Sequence, residues 1–139
     1  MPMSLRLTPA QRRGLARVGD VMIPGDDALP SFSAAGILDR MDDVLPHLYA
    51  EDRAALLTLL DVFARLPRPG VRAIVAAASR WASAPEPLAA GLRMVNFALK
   101  GVVHALYWSD LSQQGIHAAI GYDARIDETA HGFSEGENR

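Results

Sequence analysis

The chain has 139 residues, of which 50% are apolar, and a formal net charge of −2; this length and composition are typical of one compact domain with a packed core. The charge is too close to neutral to predict the basic face that a nucleic-acid partner requires, and the absence of cysteine excludes disulfides, thiolate nucleophiles and Cys-ligated zinc. The longest apolar stretch, residues 88–108, contains four polar or basic side chains, so no bilayer span is predicted.

The first helix is predicted from its N-terminal capping signals. Thr8 can cap it, Pro9 stands at the first helical position, where its missing N–H costs nothing, and Gln11 completes a capping box. The helix should end at Pro24-Gly25. The residues before it contain no apolar run of about 7–15 residues, as a signal peptide would. We therefore expect a cytoplasmic protein as the sequence stands, or a periplasmic one if a twin-arginine signal was removed or is supplied by a partner.

The rest of the chain predicts further helices separated by proline-rich breaks. Ser33 can cap a second helix, which should end before Pro46 because a residue that precedes proline avoids the α region. "PRPG" at 67–70 and "SAPEP" at 83–87 are predicted turns. The inner face of the second helix should consist of Ile37, Leu38, Met41 and Leu45. The later helices are predicted over residues 51–66, 71–82, 87–108 and 112–120, with the 87–108 helix at the centre.

The predicted fold is an all-α, single-domain bundle of five or six helices with an extended C-terminal tail. No run alternates apolar and polar residues over the length of a strand. The helical domain should span residues 1–122. Residues 123–139 carry five acidic residues and two arginines, so we expect them to form an acidic tail that is extended or disordered in isolation.

Two acidic groups are candidates for chemistry, and each also has a structural explanation. Asp26 and Asp27 could bind a metal or act as acid and base, but they stand in a turn-rich segment, where Asp side chains hydrogen-bond to backbone amides. Asp43, His47 and Glu51 would share one face of an unbroken helix, but a proline interrupts it. We interpret the first group as a polar turn and the second as solvated surface.

The 87–108 helix carries a narrow polar stripe in which the members lie within about 80° of one another. It consists of Arg93, Asn96, Lys100 and His104. The stripe is either the edge of a central helix that contacts water or the basic edge of a surface that binds a partner protein. Tyr107, Trp108 and Tyr122 are either the edge of the core or anchors in an interface, where such residues are enriched.

A resemblance to a known family is carried by residues 7–45, "LTPAQRRGLARVGDVMIPGDDALPSFSAAGILDRMDDVL". This segment resembles the gluconate 2-dehydrogenase subunit 3 family, whose members begin with Leu-Thr-x-x-Glu/Gln, end the first helix in Ile-Pro, pass through an Asp-containing turn and start the next helix with Pro-(Gly/Ser)-x-x-Ala-Gly-Val/Ile. The matching residues are Leu7-Thr8 with Gln11, Ile23-Pro24, Asp26-Asp27, Pro30 and Ala35-Gly36-Ile37. "HAAIGYD", at 117–123, is similar to the family's C-terminal Ile-Gly-Tyr element. The middle of the chain is alike in helical character only.

The resemblance implies a small helical subunit of a flavin-dependent dehydrogenase that acts on sugars, polyols or other alcohols. In such a complex the large subunit carries FAD and the chemistry, and the small subunit binds and stabilises it. We therefore expect a non-catalytic accessory subunit in a hetero-oligomer with a flavoprotein, no catalytic, cofactor-binding or metal-ligating residues in this chain, and FAD in the partner. The family's twin-arginine export signal is not found here. A cytosolic substrate of the complex is therefore as consistent with the sequence as a periplasmic sugar. The expected partner-binding residues are Ile23, Pro24, Asp26, Asp27, Pro30, Phe32, Arg93, Lys100, His104, Tyr107, Trp108 and Tyr122.

Two other hypotheses stay open from the sequence. The first is a stand-alone helical ligand-binding protein or enzyme that uses a pocket near His104, Tyr107 and Tyr122. The second is a self-associating structural or regulatory protein that buries its 87–108 helix in a homodimer.

Overall fold

The computed structural model of the chain describes residues 5–109 and 115–121, and every regular element in these ranges is helical. The predicted all-α class is therefore confirmed. The α-helices are α1 (Pro9–Met22), α2 (Met41–Val44), α3 (Ala50–Arg65), α4 (Arg68–Ser79), α5 (Leu88–Trp108) and α6 (Ile116–Ala119), and 3₁₀ turns occupy Leu38–Arg40, Leu45–His47 and Trp81–Ser83. The predicted tail over 123–139 and the predicted start of the last helix at 112 lie outside the described residues.

Helix α1 begins with the predicted capping box. The Thr8 hydroxyl accepts a hydrogen bond from the Gln11 backbone N–H at 3.2 Å, and the Gln11 side-chain oxygen accepts one from the Thr8 N–H at 3.0 Å. Two backbone donors at the helix start are thereby satisfied. The helix ends at Met22, just before the predicted Pro24-Gly25 stop.

The centre of the bundle is the pair α1 and α3, because α1 packs most extensively against α3 and also contacts α4. Gly14 sits where α1 and α3 cross: a β-carbon there would lie 2.0 Å from the Leu60 carbonyl oxygen. The Arg17 guanidinium donates to the carbonyls of Ala64 and Leu66 at 2.9 and 2.6 Å. It therefore satisfies acceptors at the C-terminal end of α3, where helix carbonyls lack partners.

The second predicted helix is wrong in its extent. Residues 33–36 form turns, and the chain then runs through a 3₁₀ turn, the single turn of α2 and another 3₁₀ turn that contains Pro46. Gly36 has φ +72°, which a continuous helix excludes. The Ser33 side chain does not cap a helix, because its hydroxyl donates to Asp20 of α1 at 2.7 Å. The predicted inner face is nevertheless buried at Ile37, Met41 and Leu45, and Leu38 is half-buried.

This irregular segment is fixed to α1 by the carboxylates of Asp39 and Asp42. Arg12 of α1 pairs with both, and its distance to Asp42 is 2.7 Å. Asp42 also accepts a hydrogen bond from the Leu7 backbone N–H at 2.9 Å. One side chain of the segment thus holds both the start of α1 and its first turn.

The predicted turn at 67–70 is also shorter in the structure. Helix α4 begins at Arg68 rather than at position 71, and Pro67 takes the N-cap position with an extended backbone. Pro69 therefore lies in the first helical turn, where a missing N–H is tolerated. Helix α5 has the predicted extent, but it is not central: it packs on α4 and on the 3₁₀ turn Trp81–Ser83 and leaves a wide face exposed.

Candidate functional site

The loop at residues 23–32 is closed by its own backbone hydrogen bonds. The Phe32 N–H donates to the Ile23 carbonyl at 3.0 Å, and the Asp26 N–H donates to the Leu29 carbonyl at 2.8 Å. Gly25 has φ +77°, and a β-carbon there would lie 2.4 Å from the Ser31 nitrogen. The two sides of the loop approach so closely at this point that only glycine fits.

The two adjacent carboxylates of the loop have a structural role at Asp26. One of its oxygens accepts hydrogen bonds from the backbone N–H groups of Ala28 and Leu29, both at 2.8 Å. This Asx-type geometry confirms the interpretation of the segment as a polar turn. Asp27 is exposed. Over residues 5–109 and 115–121, no group of three or more His, Asp or Glu side chains is arranged to hold a metal ion.

Two contacts tie the loop to the helices. The Asp20 carboxylate of α1 accepts from both the backbone N–H and the hydroxyl of Ser33, at 2.8 and 2.7 Å. The Tyr107 hydroxyl of α5 donates to the Pro30 carbonyl at 2.7 Å. Burial raises the pKa of the Tyr107 phenol, and the negative charge of Asp26 raises it further. The phenol therefore stays protonated and keeps donating at neutral pH.

Two of the predicted partner-binding residues are instead part of the core. Phe32 is 0% exposed, and its ring lies on Gly19, where a β-carbon would come within 2.0 Å of it. Tyr107 is also fully buried. Both side chains support the loop from beneath and are covered by the chain's own residues. Among the remaining loop residues, Pro24, Asp26 and Asp27 are exposed and Ile23 and Pro30 are half-buried; Tyr122 lies outside the described residues.

A second surface is the solvent-facing side of α5, which is apolar. Met94 is 69% exposed, Phe97 59% and Trp108 38%. The small residues Ala98, Gly101 and Ala105 are exposed between them. At 100° per residue these six positions fall within one arc of about 100°. We call this arc the α5 face.

The predicted polar stripe of α5 is divided by the fold. Asn96 is only 7% exposed and lies on the side that buries Leu99 and Val103. Arg93, Lys100 and His104 are exposed and run along one edge of the α5 face. We call these three residues the basic edge.

The side chains of the basic edge are partly held in place. The Arg93 guanidinium lies over the Trp81 ring, 5.3 Å from its centre, a cation–π geometry. His104 Nδ1 accepts a hydrogen bond from the Trp108 indole N–H at 3.2 Å. On the backbone of the same residue, the Trp108 carbonyl accepts a hydrogen bond from the His117 Nε2–H of α6 at 2.6 Å. The C-terminal end of α5 is thus a connected polar network beside an apolar face.

The proposed pocket near His104 and Tyr107 has its two described members in different surroundings. His104 lies on the surface, whereas Tyr107 is in the core with its hydroxyl bound to the loop. The second acidic group, Asp43, His47 and Glu51, is exposed, and Asp43 pairs with Arg40 at 3.4 Å.

Sequence reasoning missed Met94 and Phe97, the most exposed apolar side chains of α5. The helix is apolar on two sides, and the expected partner-binding residues on it were its polar stripe and its C-terminal aromatics. The available signal was a second apolar run at 94, 97, 101, 105 and 108, spaced by three and four residues. A helix that is apolar on two sides requires a second neighbour to cover it.

Comparison of the chain with models of protein families, with curated proteins and with solved structures gives no match. The likeness to the gluconate 2-dehydrogenase subunit 3 family therefore stays a prediction. No helix within the described ranges combines the length and apolarity needed to cross a bilayer.

Proposed function

We propose that this chain is a non-catalytic accessory subunit that binds and stabilises a larger catalytic protein. The observation that supports this most directly is the α5 face, where Met94, Phe97 and Trp108 are exposed on one side of a single helix. Contiguous exposed apolar surface is characteristic of protein–protein interaction sites. Large apolar and aromatic side chains of this kind are enriched in interface cores.

We further propose that the partner is the large subunit of an FAD-dependent dehydrogenase that acts on an alcohol or sugar. The support is the likeness of residues 7–45 and 117–123 to the family's terminal motifs. Two of the matching residues have a definable role in the loop: Asp26 forms its turn, and the Pro30 carbonyl accepts the Tyr107 hydrogen bond. FAD and the reacting groups belong to the partner in this proposal.

The loop is suited to docking because it is ordered before any partner arrives. Its backbone is closed by internal hydrogen bonds, and its C-terminal side is held at Ser33 by Asp20 and at Pro30 by Tyr107. Pro24 and Pro30 further restrict its conformations. A surface that is already ordered loses less entropy on binding, which improves affinity without additional contacts.

Co-expression with the product of the neighbouring gene, which the proposal expects to be the flavoprotein large subunit, tests the proposal. We expect the two proteins to purify together, with the absorption spectrum of an oxidised flavin and with dehydrogenase activity. The large subunit expressed alone should be less soluble, retain less FAD or lose activity faster. A large subunit that is equally soluble, flavin-loaded and active without the chain contradicts the proposal.

A further inference from the structure

We infer that the α5 face binds one amphipathic helix of the catalytic subunit, and that carboxylates on that helix lie against the basic edge. This inference rests on the proposed function and specifies the surface and the chemistry of the contact. Its occupant is a helix with one apolar side, flanked along a single edge by Asp or Glu residues.

The shape of the α5 face suits a helix. The face extends from Met94 to Trp108, which corresponds to about 21 Å along the helix axis. Apart from its chain neighbours and the backbone of its own helix, no atom of residues 5–109 and 115–121 lies within 4 Å of a β-carbon built at Gly101, near the middle. Along the helix axis, the larger exposed side chains Phe97 and Trp108 lie before and after Gly101. A partner helix can therefore approach closely at Gly101 and place its own apolar side chains between the larger ones.

The charges on α5 indicate the sign of the partner. Helix α5 contains no Asp or Glu, so the positive charges of Arg93 and Lys100 are not balanced from within the helix. Arg93 and Lys100 are separated by about 10.5 Å along the axis, and Lys100 and His104 by about 6 Å. Carboxylates at similar intervals on a partner helix would meet them, and such complementary charges set register and orientation.

A second copy of the chain is a poorer match for the same surface. Two α5 helices packed face to face would bring together apolar surface, but neither helix would supply a carboxylate to the other's basic edge. The charge pattern therefore favours an acidic, unlike helix over self-association.

The first test places a charge on the α5 face and compares it with a charge elsewhere. Met94→Glu is the test variant, because Met94 is exposed and makes no described hydrogen bond or ring contact, and Glu is a good helix former. Val62→Glu is the matched control: Val62 is an exposed apolar residue of α3, at 42% exposure. We expect Met94→Glu to raise the Kd for the purified large subunit by about 30-fold or more, as hot-spot substitutions do. Val62→Glu should bind within about twofold of the wild type.

The second test distinguishes close approach of a partner helix at Gly101 from a general gain in apolar contact. Gly101→Leu adds apolar surface where the fold has free space, so it should leave the fold intact. If a helix must approach Gly101, this larger side chain should weaken binding by about tenfold or more. If it strengthens binding, the proposed close approach is wrong. Lys100→Glu should also weaken binding, and by less as salt concentration rises.

The third test identifies the occupant directly. The chain contains no cysteine, so Met94→Cys carries a single attachment point for a photo-crosslinker. In the co-purified complex we expect the crosslinked peptide to come from the large subunit and to lie in a helix with Asp or Glu along one edge. A crosslink to a second copy, or to residues 122–139 of the same chain, overturns the inference.

The outcomes distinguish this inference from the proposed function. If the wild-type chain forms no complex with the large subunit, the proposed function fails. If the complex forms and Met94→Glu binds as tightly as the wild type, the proposed function stands and the inference about α5 is wrong. Circular dichroism and thermal unfolding of Met94→Glu confirm that any loss of binding comes from a folded protein.

Discussion

The crossing of α1 and α3 makes a sharp prediction about Gly14. A β-carbon added there would lie 2.0 Å from the Leu60 carbonyl oxygen, and real β-carbons essentially never come within 3.0 Å of another heavy atom of this kind. The obstacle is backbone, which has no rotamer to move away. Gly14→Ala therefore forces the two central helices apart by about 1 Å or more, in an interior that is otherwise close-packed.

The expected magnitude combines two opposing effects. Overpacking at a rigid contact costs about 3 kcal/mol, the upper end of its usual range. The higher helix propensity of alanine relative to glycine stabilises the folded state by about 1 kcal/mol. We expect Gly14→Ala to lower the free energy of unfolding by about 2 kcal/mol, equivalent to a decrease in Tm of about 6–8 °C for a chain of this size.

The matched control is Gly101→Ala, also within a helix but exposed; a β-carbon there meets no other element of the described part of the chain within 4 Å. It should gain only the helix propensity, about 1 kcal/mol, and raise Tm by about 3–4 °C. Urea unfolding followed by circular dichroism, with thermal melts, measures both variants. If Gly14→Ala is as stable as the wild type, or shifts in the same direction as Gly101→Ala, the close crossing of α1 and α3 is refuted.

Three further predictions concern the loop and the segment after it. Gly25→Ala should lower the free energy of unfolding by about 2 kcal/mol or more, because alanine is strained at positive φ and its β-carbon meets the Ser31 backbone. The control Gly36→Ala has a similar φ but no such contact in the described structure, so it should lower the free energy of unfolding by only about 1 kcal/mol. Equal losses in urea unfolding would contradict the contact at Gly25. Asp42→Asn should lose about 1 kcal/mol through its bonds to Leu7 and Arg12, whereas the exposed Asp43→Asn should stay within about 0.5 kcal/mol of the wild type in the same assay. Tyr107→Phe should lose about 1–2 kcal/mol at pH 7, because it leaves the Pro30 carbonyl without its donor. Burial and Asp26 raise the folded-state pKa of Tyr107. The protonated phenol therefore contributes stability that is fully present below the unfolded-state pKa of about 10 and is lost as pH rises through the folded-state pKa. In urea unfolding from pH 8 to 11, the stability difference between wild type and Tyr107→Phe should shrink; a constant difference would refute this.

The sequence predicted those parts of the fold whose signals are local. The capping box at Thr8 and Gln11 depends on residues three apart, and it formed as expected. The second helix failed because the capping signal at Ser33 competes with Asp20, which is far enough along the chain to be invisible to a local pattern. Once Asp20 holds Ser33, and Gly36 turns at positive φ, the segment continues as short turns.

The candidate site divides in the same way. The polar turn at Asp26 was predictable, since an Asp side chain bonds to amides two and three residues ahead. Whether Asn96, Met94 or Phe97 faces the core depends on which side of α5 meets α4, and periodicity does not decide between two apolar sides of one helix. The polar stripe was partly predicted, because three of its four expected members, those of the basic edge, remain on the surface.

The loop and the α5 face are connected through Tyr107. Its hydroxyl holds the Pro30 carbonyl, and its ring contacts the Trp108 ring edge-on, with centres 4.9 Å apart. A partner that bound both surfaces would therefore meet groups whose relative positions are set before binding, which lowers the entropic cost of association. Tyr107→Phe keeps the ring and removes only the link to the loop.

That substitution consequently separates the contributions of the two surfaces to binding. We expect faster hydrogen exchange at the Ala28 and Leu29 amides in Tyr107→Phe, since the loop loses one of its anchors. Its affinity for the large subunit should fall by less than that of Met94→Glu, because the α5 face is unchanged. If loop exchange accelerates while affinity stays the same, the loop is ordered for the stability of the fold and α5 alone carries the contact.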